Sequence, residues 1–157
     1  MRLRLRFLMI AALLFSCSRN DKSIAVDSEL LEMENGFLER YTSNSSQAID
    51  FLAATNKWIG ENNMLDLKSK LDSITPLLGN FEGFELIAFR GVGENYVLRS
   101  YLAKYDRQPL RFNLIFYRPK SNWQLQNIEF DFLIDDELKE AARAYRLDRN
   151  ILYEDHE

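Results

Sequence analysis

The 157 residues carry 20 Lys plus Arg against 24 Asp plus Glu, a formal charge of −4, and 13% of them are aromatic. Aromatics at that density, eleven Phe and seven Tyr among them, supply a real hydrophobic core and argue against disorder beyond the ends. A single Cys excludes an intrachain disulfide and a thiolate zinc site, and a single His, at position 156 in a polar tail, excludes a multi-histidine metal centre and leaves no base for a Ser or Cys triad.

The chain opens Met1-Arg2-Leu3-Arg4-Leu5-Arg6, a positive cluster of the kind that precedes a secretory signal. The apolar run from Phe7 to Phe15 is about half of the ~18 residues a spanning helix needs, so it predicts a removable leader rather than a transmembrane anchor. It ends Leu14-Phe15-Ser16-Cys17, which resembles the lipobox of bacterial lipoproteins: a branched apolar residue, a variable one, a small one, then cysteine. The resemblance implies cleavage before Cys17, a diacylglyceryl group on its thiol and usually an acylated amino group. Two or three chains, at about 0.8 kcal/mol per buried CH₂, anchor stably. Residues 1–16 are then a signal peptide, and 17–26 are the lipidated Cys17 with a polar tether through Ser18-Arg19-Asn20-Asp21-Lys22-Ser23. The expected location is the cell envelope, anchored to the inner or outer membrane, with the domain in the periplasm or at the cell surface. Removing residues 1–16 from 157 leaves 141 and takes away three arginines, which moves the charge from −4 to −7. That length fits one domain, 27–147, with a polar tail over 148–157. The acidic balance disfavours nucleic acid or an anionic membrane surface as a partner.

From Asp27 or Ser28 as N-cap, Leu30, Leu31, Phe37, Leu38 and Tyr41 recur at helical spacing, with Gly36 weakening the helix. Thr42-Ser43-Asn44-Ser45-Ser46 breaks it. Ile49, Leu52, Ala53 and Ile59 predict a second helix that ends around Gly60 as a C-cap. A third begins near Asn63, with Met64, Leu67, Leu71 and Ile74 on one face, and Pro76 marks its end or a kink.

The period then changes from 3.6 to 2. Phe84 to Phe89 predicts a strand, closed by the turn Gly91-Val92-Gly93-Glu94-Asn95. Tyr96 to Tyr105 alternates, with Val97, Arg99, Tyr101, Ala103 and Tyr105 sharing one face. Leu110, Phe112, Leu114 and Phe116 form the most regular apolar face in the chain, with Arg111, Asn113, Ile115 and Tyr117 opposite. After Pro119-Lys120-Ser121-Asn122, Trp123, Leu125 and Asn127 alternate with Gln124, Gln126, Ile128 and Phe130. Asp135 or Asp136 caps a short last helix with Leu138, Ala141, Ala142 and Tyr145. The fold class is therefore α+β, with N-terminal helices packed on a curved four-stranded antiparallel sheet.

This order, with the Phe-Tyr-Arg-Pro turn at Phe116 to Pro119 and a Trp opening the last strand, resembles the cone-shaped NTF2-like and cystatin-like domains over about Asp27 to Leu133. The resemblance implies a pocket between helices and sheet, which in some members binds small apolar ligands and in a few holds an Asp and a Tyr for acid–base chemistry. Phe112, Phe116, Trp123, Tyr101, Tyr117 and Asp131 are the candidate pocket lining, with Asp131 near Tyr101 or Tyr117 the one combination suited to proton abstraction.

Other chemistry is better explained by structure. Gly91-Val92-Gly93 lacks the third glycine and following helix of a dinucleotide site, and there is no P-loop. Asn44-Ser45-Ser46 matches a glycosylation acceptor but also suits a loop. Asp131, Asp135, Asp136 and Glu137 form an acidic cluster without the loop spacing of a calcium site, so solvated acids are the expectation. No cofactor or metal is called for. The leading expectation is a membrane-tethered, non-enzymatic domain that binds a protein partner or a small apolar ligand. The alternatives are an NTF2-like enzyme using a buried carboxylate and a structural subunit of an envelope assembly.

Overall fold

A computed structural model describes residues 27–148, so Cys17 and His156 lie outside the described residues. Asp27 caps α1 (Ser28–Ser43) by accepting a hydrogen bond from the Glu29 N–H at 3.0 Å, and Asn44 caps α2 (Ser45–Ala53) in the same way from Gln47 at 2.9 Å. Leu30, Met33, Glu34, Phe37 and Tyr41 form the buried stripe of α1 at steps of three and four. Gly36 has a positive role here: a Cβ on it would meet the Phe51 ring at 2.6 Å, so the glycine lets α1 and α2 approach closely.

Helix α2 ends at Ala53, well short of Gly60, which instead is the N-cap of α3 (Glu61–Leu78). The polar side chains between them compete for the backbone. The Thr55 hydroxyl donates to the Leu52 carbonyl at 2.6 Å, and the Asn56 Oδ1 accepts from the Trp58 N–H at 2.9 Å. Pro76 lies inside α3, where only Leu77 and Leu78 follow, so its missing N–H weakens one end turn rather than stopping the helix.

Four strands follow, β1 (Phe81–Gly91), β2 (Tyr96–Tyr105), β3 (Leu110–Tyr117) and β4 (Gln124–Asp131), paired antiparallel in the order β1-β2-β3-β4 as an open sheet. β1 starts three residues before the alternating segment because Gly83, at φ 124°, absorbs a register shift that hides the pattern. A shift between β3 and β4, at Ile115 and Phe116, puts Leu125 and Ile128 on the same buried face, correcting the opposite faces that strict alternation assigned. Helix α4 (Ile134–Asp148) begins just before the acidic pair expected to cap it.

The core lies between α1–α3 and the inner sheet face, where Phe37, Ile49, Leu52, Phe112, Leu114, Phe116 and Leu125 are fully buried. Burial of each such side chain is worth about 1.5–3 kcal/mol. Phe37, Tyr41, Phe84 and Phe112 pack in tilted and edge-to-face pairs at centroid separations of 5.0–6.1 Å. Two loops are stapled across this core. Asn56 Nδ2 donates to the Leu125 carbonyl at 2.7 Å and the Leu125 N–H donates to Thr55 Oγ1 at 2.9 Å, so side chains take the place of a neighbouring strand at the β4 edge. Arg118, in the Tyr-Arg-Pro turn, pairs with the Asp27 cap of α1, donates to Asn95 Oδ1 at 3.0 Å and stacks over Trp123 at 4.7 Å. The Tyr-Arg-Pro and Trp elements thus join α1, the β1–β2 turn and the β3–β4 turn. No described helix is long and apolar enough to cross a membrane.

Candidate functional site

The interior holds a buried carboxylate, but not the one the sequence pointed to. Glu34 of α1 accepts from Arg99 Nε at 2.6 Å on one oxygen and from the Tyr101 hydroxyl at 2.8 Å on the other. The Glu34 and Arg99 side chains are both 4% exposed. The Arg99 guanidinium stacks on the Phe89 ring at 3.8 Å, and its Nη2 is buried without a hydrogen-bond partner among the described residues. Burial raises the Glu34 carboxyl above its ordinary pKa, against the opposing effects of the Tyr101 hydroxyl and the Arg99 charge. Burial and then the Glu34 charge push the Tyr101 phenol up. Nearby, the Tyr41 and Tyr105 hydroxyls bond to each other at 2.7 Å, and both phenols are raised by burial.

A carboxyl of raised pKa beside a tyrosine is the pairing that proton abstraction needs. Here both carboxylate oxygens are already occupied by side chains, and Glu34 lines none of the three grooves described on this molecule. The arrangement is a structural ion pair inside a packed core.

Of the candidate lining residues, Phe112, Phe116 and Trp123 are core, the first two with no exposed surface. Tyr101 faces the same interior. Asp131 does not: it sits on the outer sheet face, where Arg111 donates to it through Nε and Nη2 at 2.9–3.1 Å and also pairs with Glu137 of α4. Asp131 and Tyr101 therefore lie on opposite faces. Tyr117 is six positions from Arg111 along β3, roughly 20 Å at strand rise, so it does not meet Asp131 either. Tyr117 alone of the six lines a described groove. Three of the four acidic residues of the cluster are in ion pairs, Asp131 and Glu137 with Arg111 and Asp136 with Lys139 at 3.3 Å, and no group able to hold a metal occurs among the described residues.

An apolar concavity exists on the other side of the sheet. α4 stands over the outer face, leaving a groove of about 660 Å³ lined by Ile87, Leu98, Leu102, Ile134, Leu138 and Ala141. Ile87 reaches it because it is the extra residue of the bulge between Leu86 and Ala88. Ser100 and Asn113, bonded to each other at 2.6 Å, form the polar part of its floor, and the Arg111–Glu137 pair ties α4 to the sheet beside them. Sequence periodicity placed Leu98 and Leu102 on this face, but only the position of α4 makes it concave.

A scan against protein-family models gives no match, and searches of curated proteins and of solved structures give none either.

Proposed function

We propose that this chain is an envelope lipoprotein, anchored through Cys17, whose α+β domain follows the NTF2-like or cystatin-like plan and binds a small, neutral, apolar molecule without transforming it. The observation that carries the reading is the apolar groove between α4 and the outer sheet face. Its volume of about 660 Å³ lies within the ~300–1,000 Å³ typical of small-molecule sites, and apolar walls with a few polar groups are the usual lining. Charge narrows the ligand class. The one cation among the described residues that line the groove, Arg111, already faces two carboxylates, so an acidic headgroup would have to displace Asp131 or Glu137. A neutral ligand displaces nothing. Binding rather than turnover is supported by the packed interior, in which the Glu34 carboxylate has no room for a substrate.

The test is a fluorescence titration of residues 18–157 with the neutral probe N-phenyl-1-naphthylamine. Saturable binding that Leu98→Asn and Leu138→Asn each weaken, with unfolding curves unchanged, is expected. Probe signals that are equal in the wild type and both variants would rule the groove out. For the anchor, labelled palmitate should enter the wild type and be lost from Cys17→Ala; a variant equally labelled and membrane-bound refutes that part.

A further inference from the structure

A second groove, independent of the first, lies where the α2–α3 connection and the start of α3 meet β4. The two share no residue. Its volume is about 530 Å³, and its lining is more polar than that of the α4 groove, with side-chain amides and aromatic rings beside Ile59, Met64, Leu67 and Ile128. Trp58 is 79% exposed, an unusual placement for the largest apolar side chain. Lys57 Nζ lies 4.8 Å from the indole centroid and covers one side of the ring, so at that exposure the other side is open.

The indole is exposed but its backbone is fixed. Asn56, itself 5% exposed, holds the Trp58 N–H with its carbonyl oxygen and the β4 backbone with its amide nitrogen. One buried side chain thereby sets Trp58 relative to the strand that carries Gln124, Gln126 and Asn127. These three and Asn63 of α3 line the groove, and none of their side-chain amides has a hydrogen-bond partner among the described residues. Tyr117 adds a second, half-exposed ring.

Each free amide offers a planar donor and acceptor side by side, which suits two adjacent hydroxyls of a sugar ring. A flat, solvent-facing indole suits the C–H face of the same ring. The charged residues in the groove, Asp66 and Lys70, are opposite in sign and one helical turn apart on α3, so the groove has no net charge to satisfy. A protein partner would call for an exposed apolar centre, whereas of the aliphatic residues in this lining Met64 and Ile128 are buried and Ile59 and Leu67 half-buried. We infer that the Trp58 groove binds a neutral oligosaccharide, stacked on Trp58 and hydrogen-bonded by Asn63, Gln124, Gln126 and Asn127.

The experiment uses the full lipidated chain purified in an amine-oxide detergent, which has no sugar headgroup to compete. It is applied to a broad array of immobilised neutral oligosaccharides beside Trp58→Ala, and hits are titrated in solution. Trp58→Ala should weaken a hit by about tenfold or more, which corresponds to ~1.4 kcal/mol, while Trp58→Phe keeps part of the affinity. Gln126→Ala and Asn127→Ala should each weaken it about two- to tenfold, the range for loss of one hydrogen bond. Leu98→Asn, in the α4 groove, should leave sugar binding unchanged, so the two sites succeed or fail separately. Unfolding curves check that each variant is folded, as expected for side chains at the surface. If no oligosaccharide binds the wild type above the Trp58→Ala level, the inference is overturned. It is equally overturned if Trp58→Ala removes a co-purifying protein and no sugar binds, because the groove is then a protein interface.

Discussion

The Glu34–Arg99–Tyr101 cluster gives the sharpest test of how this core is held. Arg99→Met leaves a buried carboxylate with one hydroxyl for company, and Glu34→Leu leaves a buried guanidinium with only the Phe89 ring. Breaking a buried pair from one side costs about 3–5 kcal/mol. Against a total stability of about 5–15 kcal/mol, either change takes a large share. The double variant Glu34→Leu/Arg99→Met removes both charges together, along with the unpartnered Arg99 Nη2, and should lie near wild-type stability or above it. Tyr101→Phe removes one hydrogen bond to a charged group and should cost about 1.5–3 kcal/mol. Urea unfolding followed by the fluorescence of buried Trp123 reads these differences. With a slope of about 2 kcal/mol per molar urea, each single charge variant should move the midpoint down by about 2 M. The pH dependence follows with a definite sign. Because burial raises the Glu34 pKa, there is a pH window above 4.5 in which the folded chain still holds a proton that the unfolded chain has lost. Glu34 therefore favours folding fully below 4.5, and that contribution is lost as pH rises through the raised value. Glu34→Gln should remove this fall. A double variant as unstable as the worse single one would refute the account, since the two charges would then not be compensating each other.

Three further outcomes are expected from particular contacts. Gly36→Ala should destabilise by about 1–3 kcal/mol despite the better helix propensity of alanine, because its Cβ meets the Phe51 ring; a stabilised variant in a thermal melt would show that α1 and α2 can part freely. Asn56→Ala should cost about 1–3 kcal/mol by leaving the Leu125 carbonyl unpaired, and hydrogen exchange at β4 should rise with it. Arg118→Ala should cost about 1 kcal/mol and keep only the part owed to Asn95 and Trp123 in a background where Asp27 is already alanine, a double-mutant cycle that isolates the Asp27 pair.

The regular elements were legible because their periods are unbroken. β2 and β3 alternate without interruption, and their bounds agree with the pattern residue for residue. The start of β1 and the faces of β4 were hidden by bulges, which insert a residue and reverse the alternation beyond it. The end of α2 was hidden by Thr55 and Asn56, whose side chains reward leaving the helix. The buried ion pair did leave a trace in the sequence. Glu34 stands four residues after Leu30 and three before Phe37, on the apolar stripe of α1, and Arg99 stands between Val97 and Tyr101 on the buried face of β2. Two opposite charges on two faces otherwise meant for the core identify each other. Asp131, by contrast, follows Phe130 at the end of β4, and no local pattern tells that Arg111 claims it from the next strand. Trp58 and its amide neighbours could not be assembled from sequence, because their juxtaposition depends on where the α2–α3 connection is tied to β4.

The strand order β1-β2-β3-β4 also bears on how the chain folds. Every strand pairs with the one just made, so the sheet assembles from successive hairpins, each closing a short loop in about 1–10 μs. The costly closure is of another kind. Arg99 meets Glu34 across 65 residues and Tyr101 meets it across 67, so seating α1 pays for a long loop while also stripping water from two charges. The meander can therefore form from local closures, while the contacts that seat α1 on it, with Leu30, Met33, Phe37 and Tyr41 in the core, are among those that demand distant parts of the chain.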